Sequence, residues 1–443
     1  MLMNERSYGS NIIGILLLCL FYLSIIYSIP ILPCIYLPWP LWPTLNDFII
    51  YAIVIYIIIK PFNISKILSH SNITTKLYIS MAGYYILLSI FIFIIIFYAG
   101  LSSEYFTKQL EWGIYRIFKY ILFAFVMLFV CNIARGIKIL KILNIISIIS
   151  IVSITSVNLA VYFFNIKLIY IAPHLNLLSF NNPWVIYKNA SGLALGTLGY
   201  NHVVVGIIIS IFIMLYYISK YKQSMIMDYI IITLSLALAI ASRSRTSMVA
   251  ILGIILMFTI FKKLKYKYVF IIIILLFIIV PAFGKYGYLT SSQNNLDMKA
   301  HSTKTTLMRH LELVDLSNSL NFIARLNIWS DKLEFLNENK LSFISGIGLG
   351  GSRIFGEGSH NLYLTYILET GIFGLVLFLL LMYKIIKDSL RNKKDSIYVI
   401  IITSMLLLIS CFQETFIPGP AFGNVMCLYL ATILISSNKE SLI

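Results

Sequence analysis

About twelve apolar runs, each near the roughly 20 residues that cross a bilayer, divide this chain and limit its fold more than any other feature. They lie near 11–29, 48–60, 78–99, 118–134, 143–165, 202–219, 225–241, 246–261, 268–284, 360–383, 397–412 and 421–436. Inside hydrocarbon every backbone N–H and C=O must be satisfied within the protein, so runs of this length predict helices. The chain is 60% hydrophobic and 12% charged, which excludes an ordinary soluble domain. Residues 1–443 are therefore expected to form a single transmembrane domain, an all-α polytopic membrane protein of about 12 transmembrane helices. The first run, Asn11 to Ile29, is too long for a signal-peptide core and lacks a small-x-small cleavage site. It is expected to remain as the first span. Span 48–60 is short, and its edges are expected to extend by several residues.

A net charge of +17 raises the question of nucleic acid, but the placement of the charge answers it. With the N-terminus inside, the inner segments hold Lys60, Lys66, Lys76, Arg135, Lys138, Lys141, Lys220, Lys222, the Lys262 to Lys267 cluster and Lys384 to Lys394. The outer loops 30–47 and 413–420 hold no Lys or Arg. This bias orients both termini to the cytoplasm and makes the basic balance a matter of topology, with no nucleic acid partner. The five cysteines, Cys19, Cys34, Cys131, Cys411 and Cys427, are scattered in or beside spans and show neither a disulfide framework nor metal-ligand spacing.

One long polar stretch remains: the outer loop 285–359, between the ninth and tenth spans. Its acidic and basic residues nearly balance, so its arginines must act locally. Phe322, Leu326, Trp329, Leu333 and Leu336 repeat at helical spacing, with Arg325, Asp331, Lys332 and Glu334 away from that stripe. The pattern predicts an interfacial amphipathic helix, either a solvated lid or a substrate-handling element. Residues 166–201 mix apolar and polar positions and are expected to form a short re-entrant or interfacial piece. Residues 30–46 carry five prolines and read as a stiff, turn-rich segment.

Ionisable groups gather at the outer edges of three spans, where charge is costly and asks for a role. Ser242-Arg243-Ser244-Arg245-Thr246 joins two spans; Ser244 or Thr246 can cap the next helix, whose N-terminus favours anions. Arg243 and Arg245 add fixed guanidinium forks suited to phosphate. Arginines also snorkel at span edges, though usually on the inner side. His360 opens a span directly after the glycine-rich stretch Gly346 to Gly358. It is either a helix-end cap or a general base for a sugar hydroxyl. Glu369 lies about 13 Å deeper and on the opposite face, so it reads as a structural anchor near Gly371 and Gly374 unless the helix breaks. Gly346-Ile347-Gly348-Leu349-Gly350-Gly351 spells a dinucleotide fingerprint but lacks any strand–turn–helix setting. No Asp-x-Asp pair and no His-Glu-x-x-His motif is present, which disfavours a nucleotide-sugar transferase.

Taken in order, Ser242-Arg-Ser-Arg-Thr-Ser-Met-Val-Ala250, Ala324-Arg325 with Trp329, Gly346-x-Gly348, His360-Asn-Leu-Tyr363-Leu and Glu369-Thr-Gly-Ile-Phe-Gly-Leu resemble the O-antigen polymerase/ligase superfamily. The resemblance covers roughly residues 236 to 376. It implies a GT-C-like membrane glycosyltransferase with a large periplasmic loop, set in a bacterial inner membrane with its active site facing the periplasm. Its substrate would be an oligosaccharide on undecaprenyl diphosphate, used without a metal or other cofactor. Membrane lipid and a chain-length regulator protein are further candidate partners. By the same resemblance, Arg243, Arg245 and Arg325 would hold the diphosphate and His360 would activate the acceptor. Glu369, Trp329 and Tyr363 would support the site. The chemistry agrees: a lipid diphosphate leaves well, so catalysis needs a base and cations at the oxygens that gain charge, each worth about 2.7–4 kcal/mol. The expected activity is polymerisation of repeat units. An O-antigen ligase acting on lipid A core is the first alternative and a lipid-linked oligosaccharide flippase the second, although no internal repeat favours a transporter.

Overall fold

The computed structural model describes residues 6–25, 43–60, 73–98, 104–133, 137–164, 168–169, 185–186, 202–220, 224–241, 244–261, 268, 320–355, 358–391, 396–418 and 424–440. The chain is an all-α polytopic membrane protein. Its helices are α1 (Arg6–Ser24), α2 (Leu45–Ile59), α3 (Ile73–Tyr98), α4 (Glu104–Ile133), α5 (Ile137–Phe164), α6 (His202–Ser219) and α7 (Met225–Ala241). There follow α8 (Arg245–Ile260), α9 (Leu320–Glu338), α10 (Lys340–Ser345), α11 (Leu362–Arg391), α12 (Ser396–Ile409) and α13 (Val425–Glu440). Leu168–Ile169 pairs antiparallel with Val185–Ile186 inside the expected interfacial piece. Among the described residues four helices are long and apolar enough to cross a membrane, and seven shorter apolar helices accompany them. These account for every expected span but 268–284, which lies outside the described residues apart from Tyr268.

Local sequence explains where the elements begin. Thr44 and Asp47 form a reciprocal capping box, so α2 starts three residues before its apolar run. The α6 side chains from Val204 to Ser219 are all buried, as befits a helix apolar on every side. It packs against α5, α7, α8, α12 and α13 and forms the centre of the bundle. By contrast α3 exposes Leu87, Phe91, Phe97 and Tyr98, a lipid-facing surface.

Two expectations need correction. The fourth span, predicted from residue 118, begins at Glu104, because Gln109, Arg116 and Lys119 are buried against partners and do not mark its edge. The amphipathic helix in the long loop exists as α9, but its packed face is rotated from the predicted stripe. Leu326 and Leu333 are 43% and 55% exposed, whereas Lys332 is 1% exposed. The bond from Lys332 Nζ to Ser359 Oγ (3.2 Å) turns that side of the helix inward.

Candidate functional site

The site is built around a break in α11. Gly371 takes φ 68° and ψ −178°, backbone that a side chain would strain, and the helix is interrupted there. The freed carbonyls of Leu368 and Glu369 accept the N–H groups of Ile347 (2.8 Å) and Gly348 (3.0 Å). The glycine-rich loop thus enters the bundle and completes the broken helix, the condition under which irregular backbone is tolerated at depth. Its other bonds run to α3 and α4: Leu349 N–H to Ser89 Oγ (3.0 Å) and Gln109 Nε2 to the Ile347 carbonyl (2.5 Å). At Gly350, with φ 83°, a Cβ would lie 2.5 Å from the Gln109 carbonyl oxygen. The glycines serve close approach to helices, which explains their spacing without a dinucleotide.

The 3-10 turn Gly351–Phe355 then delivers Ser352 and Arg353. Glu369 accepts from Ser352 Oγ (2.5 Å) and from its N–H (3.3 Å), and it pairs with the Arg116 guanidinium of α4. Arg116 is fully buried and also donates Nε to the Pro418 carbonyl (3.1 Å). Trp112, one turn away, lies 5.8 Å from Arg116 and 4.1 Å from Arg353, measured to the ring centre. Both distances suit cation–π attraction. Glu369 thus links the Ser352 turn to Arg116. The helix breaks only after it, so residues 362–370 still separate it from His360.

His360 sits at a corner. Its φ of 48° is left-handed, uncommon for a residue with a side chain and costing about 1–3 kcal/mol unless the surroundings hold it. They do. The preceding Ser359 has each polar group bonded to a different side chain: its N–H to Glu414 Oε1 (2.7 Å), its carbonyl to Trp329 Nε1 (2.7 Å) and its hydroxyl to Lys332 Nζ (3.2 Å). The same Glu414 oxygen accepts from Thr365 Oγ1 (3.0 Å), and Oε2 faces Arg353 at 3.8 Å. Burial pushes the Glu414 carboxyl up. Arg353, Arg116, the Thr365 bond and His360 outweigh that and hold it below the usual carboxylate range. Asn361 caps α11, its Oδ1 accepting Leu364 N–H (3.0 Å), so His360 is not the cap.

The remaining expected residues fall into place unevenly. Arg325 donates to the Phe412 carbonyl (3.3 Å), and Trp329 lies 6.4 Å from the Phe412 ring, which docks α9 over the loop 410–418. Tyr363 donates to the Leu407 carbonyl (2.7 Å) and ties α11 to α12. Arg243 lies outside the described residues; Arg245 is the first residue of α8, which Ser244 caps through Ser247 N–H (3.2 Å). Gly253 of α8 meets Met405 of α12. α8 and α12 pack against each other, and Arg245 opens α8. Among the described residues no group of three His, Cys, Asp or Glu side chains could hold a metal ion. The cationic groups brought together around Ser359 and the 410–418 loop, Lys332, Arg353 and Arg325, can bind an anion beside the His360 corner.

Sequence reasoning missed Arg116, Lys332, Arg353, Ser359 and Glu414. Lys332 falls off the apolar stripe, and Arg116 precedes the expected start of the span at 118. Glu414 gave one signal, an acid in a loop with no basic residue, and that signal is weak.

Residues 229–379 match the family model of the O-antigen ligase. Segment 229–379 is thus similar to the O-antigen polymerase/ligase superfamily. That segment, about a third of the sequence, contains Arg245, Arg325, Arg353, His360 and Glu369, while Arg116 and Glu414 lie outside it. No curated protein matches the chain. The apolar helices make this an integral membrane protein, and its segment 229–379 is similar to the O-antigen ligase family.

Proposed function

We propose that this protein polymerises undecaprenyl-diphosphate-linked repeat units into O-antigen or a related surface polysaccharide, at the outer face of the bacterial inner membrane. The observation that carries the reading is the fixed His360 corner, set beside Arg353, Lys332 and Arg325 in one neighbourhood. In the reaction an acceptor sugar hydroxyl attacks the anomeric carbon of the donor glycan. The bond from that carbon to the diphosphate oxygen breaks, and the hydroxyl proton passes to His360. The leaving lipid diphosphate gains charge, which guanidinium groups placed in advance stabilise. Arg245, Arg243 and Arg325 are the proposed diphosphate ligands. Trp329, Tyr363 and Glu369 support the site. The leaving group needs no activation by a metal or nucleotide.

A ligase reading stays in view because the matched family model is described as an O-antigen ligase. Surface glycan from a deletion strain separates the two. A single repeat unit on lipid A core marks the polymerase, whereas bare core with long undecaprenyl-linked chains marks the ligase. The site itself is tested by His360→Ala, which should abolish long chains at normal protein level; an unchanged ladder removes His360 from the mechanism. Arg245→Lys should impair activity, since an ammonium does not reproduce the planar fork.

A further inference from the structure

We propose that Glu414, in the loop between α12 and α13, is the positioning residue of His360. The role rests on His360 as the base and reaches outside the segment that matches the O-antigen ligase family. Glu414 does not act as a base itself. Its Oε1 accepts from Ser359 N–H and Thr365 Oγ1, and Oε2 faces Arg353, so both oxygens are committed. Its depressed acidity constant also makes it a poor proton acceptor but a stable anchor.

The geometry explains why the anchor is needed. The bond to Ser359 fixes the peptide that leads into the left-handed His360, and the bond to Thr365 fixes the first turn of the helix that follows. One oxygen therefore clamps both sides of the corner. Gly358 completes the fit: a Cβ there would lie 2.9 Å from Oε1, so a side chain would displace the carboxylate. Trp329 and Lys332 hold Ser359 from α9, but they bind its carbonyl and hydroxyl and cannot replace the bond to its N–H. Without Glu414 the amide loses its acceptor and the corner can relax toward ordinary backbone. A displacement near 1 Å at a catalytic group costs on the order of 100-fold in rate.

The test uses the full-length protein in lipid nanodiscs with an undecaprenyl-diphosphate-linked repeat unit as substrate. Both kcat and KM are measured across the pH range in which histidine titrates. Glu414→Ala should lower kcat about 100-fold while KM changes less than about 3-fold. Glu414→Gln retains an acceptor oxygen for Ser359 and should lose about 10-fold. In both variants the acid limb of the kcat profile should move to lower pH, because an imidazolium at His360 loses its anionic neighbour. The charged groups facing Glu414 are Arg353 from the 3-10 turn, Arg116 from α4 and His360 itself, with Lys332 of α9 reaching the same Ser359. All but Glu414 stay constant in the comparison. If Glu414→Ala does not elute as folded protein, Glu414→Gln carries the test. A variant with wild-type kcat, or with reduced kcat and an unmoved acid limb, overturns the role. If His360→Ala is inactive beside such a variant, only the positioning role falls. Full activity of His360→Ala removes the base and this role together.

Discussion

Two buried ion pairs sit one turn apart on α4, and they differ in what they fasten. Lys119 pairs with Asp47 and donates to Asn424 Oδ1 (3.0 Å). Asn424 in turn bonds Asn46 Oδ1 (2.6 Å), and Asn46 reaches the Phe21 carbonyl and Ser24 Oγ (both 2.8 Å). That network joins the ends of α1, α2 and α13 to the middle of the regular helix α4. Arg116 instead holds irregular backbone, through Glu369 at a helix break and the Pro418 carbonyl. Its Nη2 has no hydrogen-bond partner among the described residues. The same chemistry thus staples a scaffold in one place and shapes a site in the other. Burial of a charge pair alone does not identify function; the kind of backbone it holds does.

The largest effect comes from removing one member of either pair. Glu369→Ala and Asp47→Ala should each cost about 3–5 kcal/mol, read as a lower melting temperature of the solubilised protein, since each leaves a buried cation uncompensated. Equal melting temperatures to the parent would show that neither pair is buried in solution. Replacing both members separates the two roles. Lys119→Met with Asp47→Asn should recover most of the stability and keep activity. Arg116→Met with Glu369→Gln should recover stability but abolish the proposed glycan polymerisation, because the Ser352–Arg353 turn loses its hold. Activity in the second double variant would erase the distinction.

A smaller loss is expected at the helix break. Gly371→Ala places a side chain on left-handed backbone packed against Ile344 and should cost about 1–3 kcal/mol in thermal stability, with reduced glycan synthesis. Trp329→Phe keeps the ring but removes the bond to the Ser359 carbonyl. About 1 kcal/mol, seen as earlier proteolysis of the long loop, is the expected cost. The slightest effect concerns pH. Glu414 is held below its ordinary range, so it binds fewer protons folded than unfolded near that range. Its contribution is present above the unfolded value and is lost as pH falls through the folded one. Glu414→Gln should flatten that part of the stability curve, and an unchanged slope would contradict it.

The spans were legible because long apolar runs admit one local structure in lipid, and eleven of the twelve expected appear as apolar helices. The start of α4 was not legible. Gln109, Arg116 and Lys119 lower its hydropathy, and only their distant partners at Ile347, Glu369 and Asp47 reveal why they are inside. The face of α9 was misread for the same reason: Lys332 looks solvated until Ser359, 27 residues later, receives it. His360 was legible from its place at a span edge after glycines. Its partner Glu414 was not, since nothing local to residues 410–418 records the amide that it accepts.

The interrupted α11 bears on how the protein is made. The ribosome delivers residues 346–351 before the carbonyls at 368 and 369 that will receive their amides. The glycine segment therefore leaves the translocation machinery with its bonding incomplete, and it can settle only after the following span has arrived. Assembly of this junction is thereby a late event, and a chain halted near residue 362 would display helices without the docked glycine loop.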